Sequence, residues 1–304
     1  MSGSKILVSL TTKDNDYQRA QAAAIEAVAR RAGVTLEIVY ADNDPVNQSQ
    51  QILTAIQKKD HNIAAVITEP VGTGMVQVAE AAAKAGIAWA VLNREIDYAN
   101  RLSQASHLPV FEVGVDQAAV GHIHAAQLAK LVPAGGHVLY IEGPAAGSAA
   151  RQRSEGTVAK KPANIELKII KGSWTEESGH KTVASWLKLS TSKSHGFVAV
   201  VAQNDAMAMG ARKAFSELAD SAERSHWLGL PILGCDGVPE TGQQYVTRGQ
   251  LAATVVYPLV ASIALEMYLK AKTSGAPVPE RTLAQPTSFP TIEALRPATL
   301  SQHS

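Results

Sequence analysis

The segment Ala202-Gln203-Asn204-Asp205 sets an amide beside a carboxylate where an apolar run gives way to a helical pattern. The run Phe197–Val201 reads as a buried parallel strand, and Ala206, Met209, Ala214 and Leu218 follow at helical spacing. Asn204 or Asp205 therefore stands at a strand C-terminus and a helix start, the edge of an open α/β sheet where ligands bind. Either side chain can also cap the helix, which is a purely structural job. A second apolar run, Ile232-Leu233-Gly234-Cys235, ends in Asp236-Gly237. Two strand ends that deliver short polar side chains to one edge point to a polar ligand.

The ends of the other strand-like runs extend the pattern. Thr11, Asn15, Tyr17 and Gln18 follow the first, Glu69-Pro70 the third, and Asn93-Arg94 the fourth. Farther on come Gly147-Ser148-Ala149-Ala150-Arg151 and then Trp174. Carboxylates, amides and guanidinium groups around an aromatic face suit a neutral polyhydroxylated ligand, because each hydroxyl donates to a carboxylate and accepts from Arg or Asn. An indole can cover the C–H face of a sugar ring. Singly, each residue has a structural reading: Arg94 and Arg151 as surface ion-pair members, Trp174 as core, Asp236 as a turn former with Gly237. Their recurrence in both halves of the chain favours a shared site.

Other chemistry is not assembled. The patterns G-x-S-x-G and G-x-x-x-x-G-K-[ST] are absent, and Gly72-Thr73-Gly74 lacks the third glycine of a dinucleotide loop. His122 and His124 lie two apart in a helical pattern, hence on different faces, and read as surface or core residues rather than metal ligands. Cys235, the only cysteine, excludes an intramolecular disulfide and reads as a small packed residue. Glu69 and Asp236 form the one candidate acid/base pair, and arginines beside them would hold both ionised. No catalysis, cofactor or metal is expected.

The elements that must carry these groups alternate regularly. Strand-like Ile6–Leu10, Leu36–Tyr40, Ile63–Ile67 and Ala88–Leu92 are separated by helical Tyr17–Arg31, Gln48–Lys58 and Gly74–Ala85. After Val113–Val115 and helical Gln117–Leu131 the same grammar restarts. Val138–Ile141, Glu166–Ile170, Val198–Val201 and Ile232–Leu233 alternate with Ala149–Lys160, Glu177–Lys188 and Ala206–Leu218. Such βαβ units give parallel sheets, so two similar α/β lobes are expected. From Gly275 the tail is dense in proline and is expected to cross back between lobes before a last extended segment. The length of 304 residues and the 46% hydrophobic content fit two domains. Lys+Arg 28 against Asp+Glu 27 speaks against nucleic-acid or membrane-surface binding.

Four segments in order, Gly147–Gly156, Ala202–Ala211, Gly234–Gly237 and Leu251–Thr254, resemble the ribose-binding branch of the type I periplasmic binding proteins. The resemblance covers about Lys5 to Gly275. It implies two Rossmann-like lobes with parallel sheets joined by a three-strand hinge, closing over one sugar without chemistry. Residues 1–115 and 258–285 would form one lobe, 116–257 and 286–304 the other, with hinges near Val115-Asp116, Tyr257-Pro258 and Gln285-Pro286. Sugar contacts are carried over to Asn15, Gln18, Glu69, Asn93, Arg94, Arg151, Trp174, Asn204, Asp236 and Tyr257.

Departures from the ribose pattern are Gln18 for an aromatic, Asn93 for an aspartate, Glu69 for an amide, Tyr257 for a glutamine and Cys235 for an aromatic. The first lobe has thus lost an aromatic face, which Tyr257 at the hinge would restore. A small neutral sugar or polyol is expected rather than ribose in particular. The resemblance further implies a monomer that partners the membrane permease of an ABC-type transporter in the periplasm. Met1-Ser2-Gly3-Ser4 carries no secretion signal ahead of the first strand, so a cytoplasmic location is the alternative. The alternative function is the effector domain of a lactose-repressor-type regulator. Against it stand the near-neutral charge and the lack of a helix-turn-helix before the first strand.

Overall fold

Strand and helix alternate from Lys5 onward in the computed structural model, which describes residues 5–58, 62–72, 75–144, 148–189 and 196–298. The first pass runs β1 (Lys5–Leu10), α1 (Asp16–Ala32), β2 (Thr35–Tyr40), α2 (Pro45–Ile56), β3 (Ile63–Thr68), α3 (Val76–Lys84), β4 (Ala88–Leu92), α4 (Ala99–Ser106) and β5 (Val110–Val115). The second runs α5 (Gln117–Leu131), β6 (Gly136–Glu142), α6 (Ser148–Lys160), β7 (Ile165–Lys171), α7 (Glu176–Leu187), β8 (Phe197–Ala202) and α8 (Asp205–Ser216). It continues through α9 (Ser221–Gly229), β9 (Ile232–Asp236), α10 (Gly242–Thr247) and β10 (Ala253–Val256). The last described elements are α11 (Val260–Ser274), β11 (Arg281–Ala284) and β12 (Thr287–Phe289).

Two compact units result: residues 1–115 with 259–284, and residues 116–258 with 285–304. The chain passes between them three times. Pro258 and Gln285 both fall in the second unit, one residue from the divisions expected at 258 and 285.

The sheet of the first unit has the order β11-β5-β4-β3-β1-β2, and that of the second β12-β10-β9-β8-β6-β7. In the first unit β1 pairs in parallel with both β2 and β3, so the winding reverses beside β1. The second repeats this with β6 between β7 and β8. A reversal of strand order leaves a crevice beyond the strand C-termini, because the two adjoining connections leave on opposite faces. Among the described strands only β12 runs antiparallel, against β10. The core of the second unit is aromatic: Phe215 stacks on Trp227 at 4.8 Å, and Trp186 meets Phe197 and Trp227 edge-on.

Helix starts follow cap chemistry. The side chains of Asn15, Asp44, Asp116, Asn204 and Asp220 each accept a backbone N–H of the first turn they precede, and Thr175 forms a capping box with Ser178. Asp44 caps α2 with Pro45 at its first position, cap chemistry that the sequence carries three residues before the apolar spacing from Gln48 begins. Helices α4, α9, α10 and α11 add to the expected pattern, being short or of weak periodicity in sequence. The proline-dense tail supplies an edge strand to each sheet in turn, β11 beside β5 and β12 beside β10.

The two helical histidines separate as their spacing requires. His122 is exposed and His124 fully buried, with Nε2 donating to the Gly234 carbonyl at 2.9 Å. Burial pushes the His124 pKa down from 6.5 to about 4, partly offset by that bond and reinforced by Arg153. The folded protein therefore resists a proton that the unfolded chain takes up. Stability should fall as pH drops from about 6.5 and level off near 4, losing about 3 kcal/mol from this group. Urea titrations at stepped pH check this: His124→Gln, which can still donate to Gly234, should flatten that part of the profile. An unchanged slope would assign the loss to other groups.

Candidate functional site

In the first unit the segments after β1, β3 and β4 bring together Asn15, Tyr17, Gln18, Glu69 and Asn93, all buried. Asn15 Oδ1 accepts from the Gln18 N–H at 3.1 Å, so this residue is both cap and edge group. Gln18 Nε2 donates to Glu69 Oε2 at 3.0 Å. Asn93 Nδ2 donates to the Tyr17 hydroxyl at 3.2 Å. Arg94 is half-buried and donates to the Asn93 carbonyl at 2.8 Å.

Tyr17 corrects the expectation that this lobe lacks an aromatic face. The ring is supplied one residue before Gln18, from the buried face of α1. Tyr17, Gln18, Gln21, Ala22 and Ile25 are all buried there, so neighbouring positions share the inward side.

In the second unit the centre is Arg153. Its residue is 5% exposed, Nε donates to Gln117 Oε1 at 2.8 Å, and one terminal nitrogen donates to the Gln203 carbonyl at 2.5 Å. The guanidinium carbon lies 4.8 Å from the Tyr257 ring centre and 5.4 Å from that of Trp174. Burial acts to lower its pKa, but Cys235, Tyr257 and Asp236 outweigh it and the net direction is up. The guanidinium is thus fixed as a cation with aromatic faces beside it, an arrangement that strengthens with desolvation.

Arg151 is corrected accordingly. Its side chain is 63% exposed and pairs with Glu155 one turn along α6. Residues two apart on a helix face in different directions, so Arg151 and Arg153 cannot both point inward. The inward face was readable in the sequence: Ala149, Ala150, Ser154, Gly156 and Thr157 are the small residues of a packed side, and Arg153 falls among them. Gly147, expected at this turn, lies outside the described residues, as do Thr73 and Gly74.

Trp174 is half-buried, whereas Trp89, Trp186 and Trp227 are core residues. Its ring lies against Gly143, where a Cβ would come within 2.2 Å of it. Asn204 is fully committed to structure on one side: Oδ1 caps α8 through Met207 N–H at 2.9 Å and Nδ2 donates to the Trp174 carbonyl at 2.8 Å. Asp236 is buried at the end of β9, and its carbonyl accepts from the Tyr257 N–H at 3.0 Å. Tyr257 accepts from Gln117 Nε2 at 2.5 Å and belongs to the second unit.

Asp205, the residue after Asn204, is internal bracing instead, accepting from Gly237 N–H at 2.8 Å and the Thr254 hydroxyl at 2.7 Å. Asn93, Trp174 and Asp236 all have positive φ, at 55°, 66° and 114°. Non-glycine residues held there cost about 1–3 kcal/mol each, and such strain gathers where side-chain direction matters. Cys235 is buried and its thiol pKa is pushed up by burial, which suits a packed thiol and not a nucleophile. Among the described residues no group of three His, Cys, Asp or Glu could hold a metal ion. No helix among them is long and apolar enough to cross a membrane.

A family model described as a periplasmic binding protein domain matches residues 6–271. The xylitol-binding protein of Mycolicibacterium smegmatis is 28% identical over 226 residues, which cover 72% of this chain and 58% of that protein. The D-apiose import binding protein of Paraburkholderia graminis is 25% identical over 282 residues, 90% of this chain and 83% of that one. A solved ABC transporter periplasmic solute binding protein of Actinobacillus succinogenes, with bound D-allose, has TM-score 0.78 at 24% identity. That alignment covers 94% of this chain and 97% of the other.

Proposed function

The chain belongs to the periplasmic binding protein domain family, and from that premise we propose that it binds one small uncharged sugar or polyol without chemistry. It acts as the solute-binding component of an ABC-type uptake system in the periplasm, a monomer whose partner is the membrane permease. The observation that carries the reading is Arg153, a buried cation set beside Trp174 and Tyr257 at the edge where Asn204 and Asp236 end their strands. A guanidinium fixed in this way can donate to ligand oxygens, and the indole offers a face to C–H bonds.

Charge supports a neutral ligand. Among the site residues each unit carries one carboxylate and one guanidinium: Glu69 with Arg94, and Asp236 with Arg153. Relatives named for xylitol and D-apiose support a polyol or sugar of that size, and they favour this reading over a regulator's effector domain.

A thermal-shift screen of pentoses, hexoses, polyols and sugar acids tests it. A ligand at a hundred times its dissociation constant should add about 2.7 kcal/mol of stability. An aldonic or uronic acid that beats every neutral compound would overturn the neutral-ligand reading, and no shift from any compound would overturn sugar binding.

Stacking on Trp174 is tested separately. Because the other three tryptophans are core residues, ligand-induced change in indole emission should come from Trp174. Trp174→Ala should abolish that change and weaken binding by about 1–3 kcal/mol through lost apolar contact. A ligand bound equally well by this variant in calorimetry would remove the indole from the site.

A further inference from the structure

Gln203 has no exposed surface, and its side chain is used at both ends. Its Oε1 accepts from the Gly143 N–H at 2.9 Å. Its Nε2 donates toward the Tyr140 hydroxyl at 3.0 Å, the Ala150 carbonyl at 2.9 Å and the Ser154 hydroxyl at 3.0 Å. Gly143 is the residue on which the Trp174 ring lies, and Ala150 and Ser154 flank Arg153 on α6. Its own carbonyl accepts from Arg153, and the next residue is Asn204. One amide thus ties together the segments that present Trp174, Arg153 and Asn204.

The first unit contains the same device from a different place in the chain. Gln48, on α2 and equally buried, donates from Nε2 toward the Ser9 hydroxyl at 3.1 Å, the Thr68 hydroxyl at 3.3 Å and the Glu69 carbonyl at 2.9 Å. Its Oε1 accepts from the Val71 N–H at 2.9 Å. Ser9 lies in β1 and Thr68 in β3, the strands beside which the winding reverses; Tyr140 and Gln203 stand at the corresponding strands β6 and β8. Gln48 sits inside a helix and Gln203 before one, so the likeness is one of job and not of motif.

We propose that Gln203 and Gln48 are positioning residues for ligand binding, each holding its unit's sheet edge in the binding shape before a ligand arrives. This rests on the sugar-binding reading above. A buried amide with both ends satisfied fixes the segments around it, since turning away would strand several polar groups in a low-dielectric interior. A site that is only partly in the competent shape binds with an affinity reduced by that fraction. Neither glutamine needs to touch the sugar.

Glutamate is the informative substitution, because it keeps the shape and exchanges a donor for an acceptor. Hydroxyls of Tyr140, Ser9 and Thr68 can turn to donate to a carboxylate, whereas that of Ser154 already donates to Glu142 Oε1 at 2.6 Å. The Ala150 and Glu69 carbonyls cannot, so Gln203→Glu and Gln48→Glu should release the α6 start and the Glu69 segment respectively. Calorimetry at 10 °C, well below the unfolding transition, reads the folded protein alone, with xylitol, D-apiose and D-allose as probes.

Both variants should bind the best of these probes at least tenfold more weakly than the unsubstituted protein. Gln203→Glu should also shift indole emission without ligand, a change that disappears in a Trp174→Phe background. A role in stability alone would lower the melting temperature, leave affinity within twofold and leave emission unchanged, and that outcome overturns the proposal. If one variant fails to fold, the other decides. If the unsubstituted protein binds none of the probes, the sugar reading fails for these ligands, and an unshifted emission in Gln203→Glu then overturns the positioning role independently.

Discussion

Arg153→Ala is expected to abolish sugar binding, and Arg151→Ala, two residues nearer the start of α6 and on its outer side, to leave it unchanged. The guanidinium of Arg153 already spends Nε on Gln117 and one terminal N–H on the Gln203 carbonyl. A hydrogen bond with Tyr257 takes up a further N–H, and the terminal donors left over are what a ligand oxygen would meet. Removing one member of a buried, charge-assisted pair costs about 2–5 kcal/mol, which is roughly thirtyfold to several thousandfold in affinity. Arg151 is paired with Glu155 in solvent, where such an ion pair contributes at most about 1 kcal/mol.

Alanine at 153 also strands the Gln117 and Gln203 oxygens, so part of the effect would appear as lost stability. Arg153→Lys separates the two. It keeps the charge in a side chain of similar reach but gives up the planar fork that meets two acceptors and lies beside two rings. The lysine variant, verified as folded by circular dichroism and its melting curve, should still bind at least tenfold more weakly in calorimetry. A folded Arg153→Lys protein of undiminished affinity would remove Arg153 from the site. A large loss in Arg151→Ala would restore the residue that the sequence first suggested.

That exchange of arginines marks where the sequence stops being legible. The alternation of apolar runs and helical patterns is a local signal, and it places most strands and helices within a few residues. Residues directly at strand ends, such as Glu69, Asn93, Asn204 and Asp236, follow from it because the chain itself carries them to the edge. Arg153 stands a turn and a half inside a helix, so its direction depends on the helix face. That face had to be read from the small residues around it. Tyr17 stands among the strand-end residues in the sequence, but that its ring lies on the buried face of α1 depends on the helix direction in the same way. The uses of Gln203, Gln48 and Asp205 were unreadable, since each bonds to segments far along the chain that only the sheet order brings together.

Gly121→Ala is expected to damage both the second unit and its binding edge, because the atom in the way belongs to Arg153. Helices α5 and α6 cross at Gly121 and Gly156. A Cβ on Gly121 would stand 2.2 Å from the Arg153 carbonyl oxygen and 2.5 Å from the Thr157 nitrogen, and one on Gly156 would stand 2.4 Å from the Ala118 carbonyl oxygen. These are backbone atoms that no rotamer change can move, so the helices must separate. Overpacking of a well-filled core usually costs about 1–3 kcal/mol, and a backbone clash of this depth belongs at or above the top of that range. The melting temperature should fall by roughly 10 °C for a unit of this size. Gly229→Ala is the control: it too is helical, nothing lies within 4 Å of its Cβ, and it should be neutral or slightly stabilising. Separation of α5 from α6 also carries the Arg153 backbone away from Gln117, which sits on α5. Ligand affinity of the folded variant, measured at 10 °C, should therefore drop along with its stability. A variant that melts lower and binds as before would show that α6 shifts without moving its guanidinium. Unchanged melting would mean that the crossing is looser than the backbone distances require.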